Sequence, residues 1–376
     1  MSWKKHILAV ILILSVCNAG ARSKFVDFTL GMWNKFSAPK PYLDTAWIFQ
    51  PRPSFDISAS YKARWNGIDL DIPYFIEGAE FEGKPISSSV DIKMKLVDRT
   101  AHNVGLYVGY GPISLGYSLG IGVNKKINRS FSFDWVSSFY GLQFYYGRFN
   151  GQIDATCYEE DNTSFKIPFK SPADVMLIQL DGYYAFNRKK FSYQAAYKGK
   201  IIQRKSAGSI MAGVKYLHAG IMFDSEEDVT MGAAFLGMCG YGTDQVSVGA
   251  GYSYNFVPFN KDNDSNLTVN LTAIPLLTFV NEIHTVHHSN SDGNKKTFIH
   301  GKLQPNFIAR AAVSYSVWHL HFCARFDFQY NKFRTDINYT AEDMGVAQSA
   351  PNSRIQYSVN GNITNWIAGL DIHYRF

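Results

Sequence analysis

The chain is poor in charge and in cysteine, and beyond its first residues it has no long apolar run. Charged residues are 18% of its 376, the formal net charge is +6, and Lys and Arg are scattered. That excludes the basic patch of a nucleic-acid surface. The four cysteines are too widely spaced to form a metal motif. After residue 21 no stretch reaches the roughly eighteen consecutive apolar residues of a membrane-crossing helix. No Pro- or Ser-rich linker divides the chain, so one continuous domain is expected. The glycine-rich stretch Gly105–Gly122 lacks the Lys-Ser/Thr ending of a phosphate loop. No cofactor is expected.

Aromatics and glycine take the place of charge: 28 Phe, 23 Tyr and 30 Gly. They recur with a period of two, the mark of strands with two unlike faces. Leu320, Phe322, Ala324, Phe326, Phe328 and Tyr330 alternate with His321, Cys323, Arg325, Asp327 and Gln329. Ile113, Leu115, Tyr117, Leu119 and Ile121 alternate with Ser and Gly. The same pattern runs through 246–256 and through 366–376. The runs last about nine to thirteen residues, the length of a tilted strand crossing hydrocarbon and longer than most soluble strands. One face is apolar with aromatics near its ends, and the other is small or polar. In lipid only a closed barrel satisfies every strand hydrogen bond.

The fold expected is therefore all-β: a transmembrane, antiparallel, up-and-down β-barrel of 12–14 strands, with twelve preferred. Fourteen candidate strands can be read, among them stretches centred near residues 93 and 194. Counted back from the C-terminus, the alternation of short turns and long outer loops fails within residues 200–245. Either 229–238 hides a strand or one candidate is spurious. Residues 281–302 and 332–362 read as outer loops.

The N-terminus reads as a cleaved signal peptide, residues 1–21. Lys4 and Lys5 precede the apolar run Ile7–Val16 and a small-residue site at Ala19-Gly20-Ala21. Residues 22–53 read as a periplasmic or lumenal tail and 54–376 as the barrel.

The last strand places Leu370, Ile372, Tyr374 and Phe376 on one face. It resembles the barrel-assembly signal of Gram-negative outer-membrane proteins, a strand that pairs with the first to close the barrel. The resemblance implies outer-membrane lipids, the barrel-assembly machinery and periplasmic chaperones as partners. The stretches "FNRKKFSYQAAYKG", "QRKSAGSIMAG", "DTAWI" and "GAGYSYNFV" look like an uncharacterised outer-membrane barrel family of Bacteroides-type bacteria, a domain of unknown function. It has no established catalytic residues to carry over.

The polar face supplies the candidate lumen residues: Gln179, Asp181, Lys198, Lys215, Arg310, Arg325, Asp327, Asp371, His373 and Arg375. They fit a narrow channel for a solute, or a packed interior in a barrel that anchors a surface assembly. His287, Ser289 and Asn290 spell His-x-Ser-Asn, which resembles the active-site stretch of outer-membrane phospholipases and implies a lipid hydrolase. Its polar surroundings argue against this, and a non-enzymatic barrel is the expectation. His284, His287, His288 and His300 are weak metal candidates. A third reading is a surface adhesin or receptor acting through the outer loops.

Overall fold

The computed structural model describes residues 43–376, except 51–54, 82–83, 98–99, 122–128, 162, 224, 233–239, 262–264, 290–292 and 341–353. The signal peptide and most of the tail lie outside the described residues, as does Cys239.

Its strands run in chain order as follows. The first five are β1 (Ile48–Phe49), β2 (Phe55–Phe81), β3 (Lys84–Val97), β4 (Ala101–Tyr110) and β5 (Ile113–Ile121). Then come β6 (Arg129–Val136), β7 (Tyr140–Glu159), β8 (Ser164–Ile167), β9 (Ala173–Ala185), β10 (Ile202–Gln203) and β11 (Ala207–Met222). The last six are β12 (Gly240–Lys261), β13 (Ser265–Ser289), β14 (Gly293–His300), β15 (Gln304–Val317), β16 (Leu320–Thr340) and β17 (Arg354–Arg375). Among the described residues one short α-helix, α1 (Glu226–Met231), lies between β11 and β12.

Twelve strands form the ring: β2, β4, β5, β6, β7, β9, β11, β12, β13, β15, β16 and β17. All pairings are antiparallel. β12 pairs with β13, and β17 pairs with β2 along Arg354↔Glu77 to Arg375↔Asp56, so the twelve-strand ring closes. The Phe376 amide donates to the Phe55 carbonyl at 3.0 Å and completes the seam.

Two of the fourteen candidate strands are not separate crossings. The stretch near 93 is β3, which pairs with the upper part of β2 and descends towards β4 on the same partner. The stretch near 194 is a buried 3₁₀ turn, Tyr193–Ala196. Once it is removed, "FNRKK" falls at the short-turn end, together with Gly111-Pro112 and Trp318-His319. The miscount thus began at these two stretches, and in 200–245 the described part of the connection after β11 holds α1.

The wall changes character along its height. On β2 the outward residues Phe55, Ile57, Ala59, Tyr61, Ala63 and Trp65 give way to Asp69 and Asp71. The inward residues Asp56, Ser58, Ser60, Arg64 and Asn66 give way to Ile68, Leu70 and Ile72, all buried. The parity holds, so the strand is continuous and its surroundings invert. From Phe55 to Trp65, about 3.3 Å per residue and a tilt near 40° give an apolar band of about 25 Å, the height of a barrel's lipid-facing belt. Trp65 and Trp366 are paired across the seam at its upper border, while Phe55, Tyr374 and Phe376 sit at the lower one.

Above the band β3 pairs with both β2 and β7. This takes the short hairpin β5–β6 out of the circumference. The narrowed section is filled by an apolar core that includes Ile72, Met94, Leu96, Leu217, Ile283 and Phe333. Outward-facing Asp71, Lys93, Lys95, Gln152 and Asp154 are exposed there, as on a water-soluble sheet.

Residues 281–302 are mostly strand rather than loop: β13 continues to Ser289 and pairs with β14. Likewise β16 and β17 pair as far as Thr340↔Arg354, which leaves 341–353 of the expected 332–362 loop outside the described residues. Extending the hairpins pairs backbone groups that a loop would leave to solvent.

Candidate functional site

Below the apolar core the lumen is largely polar, because the inward phase of its strands there carries Ser, Asn, Gln and charge beside a patch of apolar residues. From the short-turn end, residues 187–206 fold up into it as a plug between β9 and β11. Their sequence explains the fold. Phe191, Tyr193, Tyr197, Ile201 and Ile202 are too apolar for a solvated turn, and all are buried. Phe191, Tyr193 and Tyr197 pack with wall residues that include Met211, Ile274, Ile308 and Cys323. The plug's polar atoms are tied to the wall. Gln194 Nε2 donates to the Val136 carbonyl at 2.9 Å, and Tyr197 donates to Asn270 Oδ1 at 2.9 Å. Asn255 and Asn266 donate to the Ser192 and Gln203 carbonyls at 2.7 and 2.8 Å. Cys323 Sγ donates to the Ala196 carbonyl.

The described end of the N-terminal tail straps this plug. β1 pairs with β10, and the Asp44 amide donates to the Lys189 carbonyl at 3.0 Å. Gln203, fully buried, donates to the Lys190 carbonyl at 2.7 Å and accepts from the Ser192 amide at 3.0 Å. Trp47 lies under the ammonium groups of Lys190 and Lys205.

Between plug and apolar core lies a cavity of about 120 Å³. Lys62, Arg64, Lys198, Arg310 and Arg325 line it, with Asp134, Asp181 and Asp327. Arg310 is its hub: Nη2 donates to Asp181 at 2.7 Å, Nη1 to Gln143 at 2.9 Å and to Tyr193 of the plug at 3.0 Å, and Asp327 lies 3.4 Å from Nε. Arg325 pairs with Asp371 at 3.0 Å. Lys215, 1% exposed, donates to Gln329 Oε1 at 2.5 Å and Asn331 Oδ1 at 2.8 Å, and Gln179 also donates to Gln329. His373 packs edge-on to His321 lower in the lumen. Arg375 sits at the lower rim, on the Gly199 and Trp318 carbonyls.

Lys198 reaches the lumen from the plug, not from a strand, and pairs with Asp134 at 2.5 Å. Asp134 escaped the sequence reading although Ser130, Ser132 and Asp134 share the polar phase of β6; the signal was there. Tyr193 and Tyr197 lie in the stretch near 194 that reads as a strand, so the sequence did not single them out as plug residues facing the lumen.

His287 and Ser289 lie on the upper β13–β14 hairpin, at register positions opposite Lys295 and Gly293. Asn290 lies outside the described residues. His284 is on the outer face just above the apolar band, with Nε2 2.5 Å from Asp244 Oδ2. Asp244 Oδ1 also bonds His218 at 2.8 Å and accepts from Tyr216 at 2.6 Å. His288 and His300 are on the strands of the upper hairpin. Among the described residues no three His, Cys, Asp or Glu groups are arranged to hold a metal.

A closed antiparallel ring, an apolar outer belt bordered by aromatics and a polar plugged interior define a transmembrane β-barrel of the outer-membrane type. The chain belongs to the family described as domain of unknown function (DUF4421), whose model matches residues 75–344. No curated protein matches it. Similar solved structures include the outer membrane protease OmpT from Escherichia coli, 9% identical, covering 85% of this chain and 97% of that one, with a TM-score of 0.31. A FadL homologue of Pseudomonas aeruginosa is 10% identical, over 85% of this chain and 90% of that one, with a TM-score of 0.17. OmpT of Vibrio cholerae is 9% identical, over 84% and 98%, with a TM-score of 0.19.

Proposed function

We propose that this protein is a closed, non-enzymatic barrel of a Gram-negative outer membrane that anchors a folded β extension at the cell surface. One observation carries the reading: among the described residues the plug fills the lumen from the short-turn end and an apolar core fills it above. The polarity inversion supports the surface role, since above the belt the wall presents charge outwards and is stabilised by its own apolar interior. In this reading the signal peptide directs export, chaperones and the assembly machinery recognise the Leu370–Phe376 strand, and the short-turn end faces the periplasm. The extension is the part available to a surface partner.

The channel reading requires both plug and core to move. The hydrolase reading requires His287 and Ser289 near lipid, yet β13 leaves the apolar band some residues earlier, at Glu282. Single-channel recording of refolded protein in planar bilayers, with a lipid-release assay on the same sample, tests the proposal. No stable conductance steps and no lipid turnover are expected. Steady conductance would overturn the closed reading. Calcium-dependent lipase activity lost in Ser289→Ala would promote the hydrolase.

A further inference from the structure

The lumen cavity is rich in cationic side chains. Five of them line it against three carboxylates, and a fourth carboxylate, Asp371, pairs with Arg325. The three lining carboxylates are already engaged: Asp134 by Lys198, and Asp181 and Asp327 by Arg310. Lys62 has the Tyr107 hydroxyl as its hydrogen-bond partner, lies 4.6 Å from that ring's centroid, and has no acid partner among the described residues. A lysine ammonium without a carboxylate partner in a low-dielectric interior is costly, and an anion beside it removes that cost.

A second observation points the same way. Tyr145 lines the same cavity, and its hydroxyl is buried with no hydrogen-bond partner. Spare donors on Lys62 and Tyr145 call for an acceptor-rich ligand. The volume suits a small oxyanion with a little water and is too small for a nucleotide.

We propose that the cavity binds a small oxyanion of the phosphate or sulfate type, held by Lys62 and the Tyr145 hydroxyl and attracted by the guanidinium of Arg325. The ligand would sit between plug and apolar core. A free anion fits a cavity of this volume; a phosphate still carrying acyl chains would have to bring them into the polar lumen.

The test is to refold the full chain in phosphorus-free detergent with inorganic phosphate, desalt it, and measure phosphorus per chain. A parallel sample receives phospholipid as its only phosphorus source. Stoichiometric phosphorus retained from inorganic phosphate, competed away by sulfate at constant ionic strength, is expected, with none carried in the lumen from the lipid arm. Lys62→Met should weaken retention roughly tenfold, the equivalent of about 1.4 kcal/mol. Lys95→Met, exposed on the outer face of β3, should leave it unchanged. No retention in wild type, or equal retention in Lys62→Met and wild type, overturns the site. Should Lys62→Met fail to fold, Tyr145→Phe decides: it keeps the ring and removes only the hydroxyl, and unchanged retention counts against the proposal.

Discussion

Phe326 and Gln329 are three residues apart on β16 and face different solvents. Phe326 points outwards at mid-belt, stacked 6.3 Å from Trp366. Phe326→Arg should cost about 2–4 kcal/mol in urea unfolding from bilayers, the penalty for a charge at the lipid midplane. A stability equal to wild type would mean that this face does not meet lipid. Gln329 points inwards and accepts from Lys215. Gln329→Arg is also expected to destabilise, but through repulsion of a buried like charge. A double-mutant cycle with Lys215→Gln separates the two mechanisms: a coupling of about 0.5–3 kcal/mol is expected for the lumen pair and none between Lys215 and Phe326.

Elements show which parts the period governs and which it does not. β17 is periodic to its last residue, and Phe376 closes the ring on β2. Deleting Phe376 should leave export intact and impair assembly, read as loss of heat-modifiable migration in outer-membrane fractions; normal migration would refute the role. The plug is aperiodic, and its turn depends on Gly199, at φ +61°, where an added Cβ would strike the His321 ring. Gly199→Val should loosen residues 187–206 by about 1–3 kcal/mol, measured as faster hydrogen exchange there while the strands stay protected.

At the level of α1, Asp228 accepts from the Lys170 and Ser171 amides, each at 2.8 Å, and pins the connection before β9. Burial alone would raise its pKa, but these amides and the Ser225 hydroxyl outweigh that and hold it below the usual carboxylate value. A depressed folded pKa gives stability that is present above the unfolded value, near 4, and is lost as pH falls through the folded one. Protection of the Lys170 and Ser171 amides should therefore collapse below about pH 4. In Asp228→Asn it should be weak at neutral pH and insensitive to acid. Equal acid sensitivity in both proteins would place the cause elsewhere.

For the whole molecule, the decisive property is the inversion of polarity along one continuous wall. Phe333 lies fully buried inside the upper barrel. In a water-filled channel Phe333→Ala would be nearly silent. In a packed core it should cost about 3–5 kcal/mol, because truncation leaves a cavity. Denaturant titration of the refolded protein distinguishes the two outcomes.

The sequence by itself determined the class. Alternation is local, so Leu320–Tyr330 and Trp366–Phe376 could be assigned to faces residue by residue, and the lack of long apolar runs left a closed barrel as the way through lipid. Gln179, Asp181, Arg310, Arg325 and Asp371 were legible for the same reason. Tertiary structure alone decided the strand count, the closure of the lumen and the cavity. β3 reads as a separate crossing until its pairing with β2 and β7 is seen. The 193–197 stretch reads as a strand until the space inside the ring claims it. The pairing of Arg310 with Asp181, or of Lys198 with Asp134, joins residues more than sixty positions apart in the chain. A two-residue period tells which way a side chain points, but what it meets across the lumen depends on how the ring closes.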